Sequence, residues 1–270
     1  MINTQELEHL IKLAVLSTHI KDERPVSVLI CARVESGKTE LLKKTIPCKG
    51  IAYLGDATAW GIQKEYLDAI TKREIRTLVI PDLITPLSRG SDTVETFVAF
   101  LNGLIEEGIV EIQTYALQKK LEIPARCNIV TSIAQEHLFD QRHRWSKMGF
   151  ISRVVPISFE YAASTVYDIG QSIASEIYHE EDDFSDLVIP DDDIAITTPQ
   201  EIALKIASLA PQVIDKRQLA DKLYGFRLQK QLGTLCKTNA MMDNRETVNE
   251  EDFNTIKQLS NYMNLTFKQI

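Results

Sequence analysis

The segment Ala32-Arg33-Val34-Glu35-Ser36-Gly37-Lys38-Thr39 limits what this chain can fold into more than any other stretch. Before it lies Val26-Ser27-Val28-Leu29-Ile30-Cys31, a short β-branched apolar run. After it, Lys38-Thr39-Glu40-Leu41-Leu42-Lys43-Lys44 reads as the first turns of a helix. A strand, a tight loop ending Gly-Lys-Thr and a helix make a phosphate-binding P-loop. Gly37 lets backbone N–H groups curl around an anion, and the helix start adds partial positive charge. Lys38 can reach terminal phosphates, and the Thr39 hydroxyl can hold Mg²⁺. The expected ligands are therefore ATP and Mg²⁺, cradled by Glu35, Ser36, Gly37, Lys38, Thr39 and Glu40. The pattern normally opens with glycine, and here Ala32 stands in that place. Alanine tolerates positive φ poorly, so a slightly reshaped loop entrance is expected.

The composition is that of an ordinary globular protein with ample material for a core. The chain has 270 residues, 44% hydrophobic and 25% charged, enough for one large domain or a medium and a small one. A net charge of −8 argues against a general nucleic-acid coating protein, though not against a local basic patch. Cys31, Cys48, Cys127 and Cys236 are far apart with no Cys-x-x-Cys pair, so they read as reduced, buried small residues rather than a zinc site. The polar opening Met1-Ile2-Asn3-Thr4-Gln5-Glu6 lacks a signal-peptide pattern, and no apolar run approaches membrane-spanning length. A soluble cytoplasmic protein with no membrane partner is expected.

Residues 6–19 carry Leu7, Leu10, Ile11, Ala14, Val15 and Thr18 at helical spacing. Strand-like runs at 50–54, 77–80, 127–132 and 154–159 alternate with helical stretches such as 63–71 and 94–107. That alternation predicts a mostly parallel sheet covered on both faces. The acidic runs Glu180-Glu181-Asp182-Asp183 and Asp191-Asp192-Asp193 read as a solvated connecting segment, because they lack the Gly and spaced Glu of a calcium loop. Thr198-Pro199-Gln200-Glu201 is a capping box with proline at the first helical position, and helices are expected at 200–213, 223–241 and 250–262. The expected architecture is α/β. A P-loop NTPase parallel sheet covered by helices spans residues 1–160, and a small α-helical lid domain spans 161–270.

Thr77-Leu78-Val79-Ile80-Pro81-Asp82 is an apolar strand ending in a carboxylate. In a P-loop protein this is where the Mg²⁺-associated aspartate sits, so Asp82 is expected to share the metal with Thr39. Many ATPases follow that aspartate with a glutamate that polarises the attacking water. Here Leu83 follows, leaving Asp92 or Glu95 as candidates from the next segment.

Residues 109–131 read strand, turn, strand: Ile109-Val110-Glu111-Ile112-Gln113, a polar turn around Gln118-Lys119-Lys120, then Leu121-Glu122-Ile123. The strand at 127–132 follows at once. Gly149-Phe150-Ile151-Ser152-Arg153-Val154-Val155-Pro156-Ile157 sets an arginine directly before a strand. Gly225-Phe226-Arg227 opens a helix, and Val248-Asn249-Glu250-Glu251-Asp252-Phe253 starts the last one. In this order the chain resembles an AAA+ ATPase. Within that superfamily it looks most like the branch with a hairpin before sensor 1, which includes the minichromosome maintenance helicases and the enhancer-binding activators. Asp56-Ala57-Thr58-Ala59-Trp60-Gly61-Ile62 is similar to the small-residue segment after the second strand of those helicases.

The resemblance implies roles. Thr131 or Ser132 would be sensor 1. Arg153 would be the arginine finger, inserted into a neighbouring subunit's site. Arg227 would be sensor 2, reaching the γ-phosphate from the lid. It also implies a homo-oligomer, ring or filament, that couples ATP state to remodelling or loading of a protein partner. DNA enters through Lys119 and Lys120 if they meet phosphates at the hairpin tip. Arg142-His143-Arg144 with Trp145 and Lys147 forms a second basic cluster that can touch DNA or sit at a subunit interface, the latter preferred. The competing reading is an ATP-dependent assembly switch with weak or no hydrolysis. Leu83 and Ala32 favour it, while intact Lys38, Thr39, Arg153 and Arg227 favour turnover. A monomeric small-molecule kinase is a third reading, opposed by the C-terminal helices and by the arginine before the strand.

Overall fold

A computed structural model of the chain describes residues 3–113, 118–175, 183–216, 223–265 and 268–270. Its centre is a six-stranded sheet in which every adjacent pair is parallel. The strand order is β2 (Ile51–Tyr53), β3 (Thr77–Ile80), β6 (Asn128–Ala134), β1 (Ser27–Ala32), β7 (Val154–Glu160) and β8 (Lys268–Gln269). Parallel strands covered on both faces read as unbroken apolar runs, and β1 and β3 are buried throughout. The strand period of two sends alternate side chains to opposite cores. Val28, Ile30, Val130, Val155 and Ile157 face α1 (Gln5–Leu16) and the C-terminal helices α9 (Gln200–Lys216), α10 (Phe226–Met242) and α11 (Glu250–Leu259). Leu29, Cys31, Leu78, Ile80, Ile129 and Ile133 face α6 (Ser91–Asn102) and α7 (Gln135–Lys147). The hairpin β4 (Ile109–Gln113) with β5 (Gln118–Ala125) is a separate antiparallel pair.

The α/β class with a helix-covered parallel sheet is as expected. The C-terminal helices, however, share one continuous core with α1 and β1. The chain end returns to the sheet as β8 beside β7, with Phe159 opposite Lys268. Other expectations shift. The helix at 63–71 is two helices, α3 (Ala59–Glu65) and α4 (Leu67–Thr71), meeting at Tyr66. Thr58 caps α3 by accepting from Gly61 N at 2.9 Å. The helix at 94–107 begins earlier, at Ser91, and ends in a π-helical turn, Gly103–Glu107. Residues 180–182 lie outside the described residues, but the second acidic run is no free linker. Asp191 pairs with Lys49 at 2.6 Å, and Asp193 bridges Arg73 and Arg76 at 2.6 and 2.7 Å. All four cysteines are free thiols and buried. Among the described residues no helix is long and apolar enough to cross a membrane.

Asp252 fixes the start of α11. Its carboxylate is fully buried, and it accepts from Arg245 at 2.6 and 2.7 Å, Asn239 at 2.8 Å and the Asn249 amide at 2.8 Å. Burial pushes this carboxyl up, but the hydrogen bonds from Arg245, Asn239 and Asn249 and the Arg245 charge outweigh burial and hold it below the ordinary range. A depressed folded-state value means that its stabilisation is complete above the unfolded aspartate range and is lost as pH falls through the folded value. Asp252→Ala leaves the buried Asn239 Nδ2 and the Asn249 amide without their acceptor and Arg245 with Asp243 alone, and is expected to cost about 3–5 kcal/mol. Thermal unfolding should register this as a midpoint roughly 6–15 °C lower, with an acid limb that flattens relative to wild type.

Candidate functional site

The loop 33–37 leaves the sheet at its centre, from the end of β1. Ala32, the last residue of β1, pairs with Ala134 of β6, so the loop starts from a rigid position. Glu35 at φ 64° and Gly37 at φ 74° are both left-handed on either side of Ser36, which curls the backbone into a concave turn ahead of Lys38. Ala32 is a ladder residue and does not share their positive φ. The missing glycine therefore strains nothing, and the expected reshaping of the loop entrance is not seen. Straps from β7 hold the loop: the Tyr161 hydroxyl donates to Ser36 O at 2.9 Å, and Arg33 pairs with Glu160 at 2.8 Å. Gly37 O accepts from Leu41 N at 2.9 Å and starts α2 (Lys38–Lys43).

Lys38 Nζ donates to Arg33 O at 2.6 Å, Ala32 O at 3.1 Å and Ser36 Oγ at 3.3 Å. Burial lowers its pKa, opposed by Cys31, Asp82 and Glu136. Burial also lifts the Cys31 thiol to about 12, so near neutral pH the anions facing Lys38 are the two carboxylates. Asp82 is exposed just beyond β3, where its Oδ1 accepts from Ile84 N at 3.0 Å. Thr39 and Glu40 are exposed at the start of α2. Asp82 and Thr39 thus stand at the same open end of the sheet, beyond the C-terminal ends of β3 and β1, the two parallel strands that flank β6.

The sensor 1 candidates sit differently from expectation. The Thr131 hydroxyl donates to Ile80 O at 2.7 Å and the Ser132 hydroxyl to Pro81 O at 2.5 Å, both fully inside. Leu83 N returns a bond to Ser132 O at 2.8 Å. These groups tie β6 to the turn that carries Asp82 instead of facing the open end. Leu83 is buried in the second core, which removes that position from any water chemistry. Of its expected substitutes, Glu95 pairs with Arg144 at 2.9 Å, and Asp92 lies in the first turn of α6. The residue missed from sequence is Glu136. It is exposed, two positions beyond Ala134, whose ladder partner Ala32 supplies a carbonyl to Lys38. A glutamate just past β6, the strand beside β1, was the readable signal.

Arg153 stands at the other edge. Val154 pairs with Ser27 at the start of β1, and the loop 33–37 leaves from the end of β1. A strand of this length spans roughly 20 Å, so Arg153 is a full strand away from the loop 33–37 of its own chain. Arg227 joins it, because α10 packs along α1 with its first turn toward this edge. Arg153 Nε and Arg227 Nε each lie 2.8 Å from Glu106, and Arg24 Nη1 lies 2.7 Å from it. Burial pushes the Glu106 carboxyl up, but the Arg227, Arg153 and Arg24 guanidinium groups win and hold it below the usual range. A cavity of about 360 Å³ opens here, lined in part by Arg24, Glu106, Arg153, Arg227 and Lys230. The two arginines are together, but neither meets the loop 33–37 of the same chain. That departs from the expectation that Arg227 reaches it from the lid.

Lys119 and Lys120 do not form the hairpin tip. They lie within β5, opposite Ile112 and Glu111, and Lys119 pairs with Asp68 of α4. The intervening residues 114–117 lie outside the described residues. In the second basic cluster Arg144 is held by Glu95, and Arg142 sits 5.1 Å over the Phe139 ring. Trp145 is wholly buried, edge-on to Phe150 at 5.8 Å, and so belongs to the core rather than to a surface. Among the described residues no cluster of three or more His, Cys, Asp or Glu could hold a metal by itself. In comparisons with known proteins, no family model and no curated protein sequence matches the chain.

Proposed function

We propose that the chain is an oligomeric P-loop ATPase of the AAA+ kind, which binds Mg·ATP and couples its nucleotide state to assembly and to remodelling of a protein partner. The observation that carries this reading is the pair of opposed edges. The concave loop with Lys38, Thr39, Asp82 and Glu136 occupies one end of the parallel sheet, and the arginine pair Arg153 and Arg227 occupies the other. A head-to-tail contact between copies brings the second edge to the first, and such contacts generate rings or filaments.

The residues at the loop suit the ligand. Mg²⁺ prefers oxygen ligands and keeps several from phosphates and water, so it asks little more of the protein than the Thr39 hydroxyl and the Asp82 carboxylate. When bound, ATP supplies the phosphoryl group that is transferred to water, and Mg²⁺ offsets its charge. Lys38 exchanges its carbonyl contacts for the terminal phosphate oxygens. The hydroxyls of Thr131 and Ser132 act indirectly, by fixing the turn that presents Asp82. Glu136 is the carboxylate we assign to accept the proton of the attacking water, in place of the residue that Leu83 replaces. Arg153 and Arg227 of one copy stabilise the charge that develops on the phosphate held by the next. DNA binding is the weaker part of the proposal, because Lys119 is already ion-paired.

An assembly switch with little hydrolysis is the second reading, favoured by the burial of Leu83. One series of measurements separates the two. Glu136→Gln is expected to keep ATP affinity while phosphate release falls about 10²–10⁴-fold, the usual contribution of a general base. Wild-type release from Glu136→Gln removes the assignment of Glu136. A wild-type protein that binds ATP and assembles, yet releases no phosphate, makes the switch the better reading. A wild-type protein that binds no ATP ends both.

A further inference from the structure

We propose that Glu106 is a positioning residue that latches Arg153 and Arg227 to the base of the β4–β5 hairpin, and that a phosphate group on a second copy of the chain releases the hairpin base by taking both guanidinium groups from it. The proposal rests on the ATPase reading above and adds to it a route from the nucleotide to the hairpin.

Glu106 belongs to two structures at once. Through its side chain it gathers Arg24, Arg153 and Arg227 from three separate parts of the chain. Glu107 adds a second carboxylate to Arg153 at 3.2 Å. Through its backbone it lies in the π-helical turn Gly103–Glu107, closed by Gly108 N on Gly103 O at 2.8 Å. That turn leads directly into β4, and its ends are bound to the far side of the hairpin. Arg126 Nη2 donates to Glu107 O at 3.0 Å, and Cys127 N donates to Leu104 O at 3.3 Å. Gly108, at φ 79°, lets Pro124 of β5 approach so closely that a Cβ would lie 2.8 Å from it. The arginines and the hairpin are thus two loads on one short, irregular turn. π-helical turns of this kind recur at functional sites.

The exchange has a chemical reason. Three guanidinium groups, of Arg24, Arg153 and Arg227, converge on the single Glu106 carboxylate, and Glu107 pairs with Arg153 as well. Lys230, Asp22 and Glu23 also line the cavity, Glu23 being paired with Lys237 at 2.5 Å. Arg24 and Arg227 are about half exposed, so their free N–H groups face the opening. Guanidinium forks bind phosphate as well as carboxylate, in the same bidentate manner. A terminal phosphate can therefore replace Glu106 without leaving a guanidinium unpaired, whereas Glu106 is left with Arg24 as its one cationic partner in place of three. The buried turn must then move toward water, taking β4 with it.

The test is hydrogen exchange on the full chain, read over residues 109–113 and 118–125, together with ATP binding and sizing. In wild type, Mg·ATP at assembling concentrations is expected to raise exchange of these segments about ten- to hundredfold, the equivalent of losing one charge-assisted hydrogen bond. Mg·ADP should leave it unchanged. Glu106→Gln should show the raised exchange with no nucleotide and little further response to ATP. Should that variant not fold, the wild-type comparison decides alone. Wild type that binds ATP and assembles with an unchanged hairpin, or folded Glu106→Gln protected like wild type, overturns the latch and leaves the ATPase reading standing. Wild type that binds no ATP overturns both.

Discussion

Lys38→Ala is expected to lose ATP turnover while keeping its fold. The Lys38 ammonium is the charge inside the loop that can follow the terminal phosphates, and it now rests on Arg33 O, Ala32 O and Ser36 Oγ. A lost bond to a charged group weakens binding about ten- to hundredfold. A lost donor to developing transition-state charge slows the chemical step a further 10²–10³-fold or so. Together these give a fall of about 10³–10⁵ in kcat/KM. The backbone has other supports: Tyr161 on Ser36 O, Leu41 N on Gly37 O, and the β1–β6 ladder. The thermal midpoint should therefore hold. Equilibrium binding of a fluorescent ATP analogue, phosphate release and a melting curve measure the three quantities. Unchanged affinity with unchanged release removes the P-loop reading, however well the loop resembles one.

The parts of this fold that were legible in the sequence are those set by local chemistry. β1, β3, β6 and β7 are buried on both faces, so each is an apolar run that needs no partner to be recognised. The loop ending Gly-Lys-Thr is recognisable because glycine and lysine are dictated position by position. β5 was read too short, because Gln118-Lys119-Lys120 looks like a turn. In an isolated two-stranded ribbon, outward residues meet solvent and can be polar, as the exposed Gln118, Lys120 and Glu122 are. Trp145 was misread for a related reason. Its sequence neighbours are basic, yet it falls seven residues after Leu138, on the same helix face, and both are fully buried. A helical period was available to find that. No local pattern could have found the Glu106 cluster, whose members come from residues 24, 106, 153 and 227 and meet only through tertiary packing. The same holds for Asp193, whose partners Arg73 and Arg76 are more than a hundred residues away. Charge runs reveal that a segment is polar, not what lies opposite it.

Arg153→Ala is expected to bind ATP normally and to lose turnover, and its defect should be repaired by a chain that is itself inactive. Arg153 lies a strand's length from its own P-loop, so removing it leaves that nucleotide pocket untouched. Glu106 keeps Arg24 and Arg227 as partners, so the fold should survive as well. An arginine supplied across an interface is worth about 10³–10⁵ in rate in phosphoryl transfer. The expected loss here lies toward the lower end, because Arg227 shares the same edge and keeps part of the charge. The sharper expectation concerns mixtures. An interface in which a Lys38→Ala chain offers Arg153 and an Arg153→Ala chain offers Lys38 is complete, although both chains are dead alone. At equal mixing about a quarter of head-to-tail interfaces have that arrangement, so activity should rise to a maximum near equal proportions and fall away on either side. Phosphate release across a series of mixing ratios, with sizing of each mixture in Mg·ATP, measures it. A within-chain role for Arg153 gives no maximum at any ratio. If the protein also stays monomeric in Mg·ATP at high concentration and Arg153→Ala matches wild type, the two edges never meet, and a monomeric P-loop enzyme becomes the reading that the loop supports.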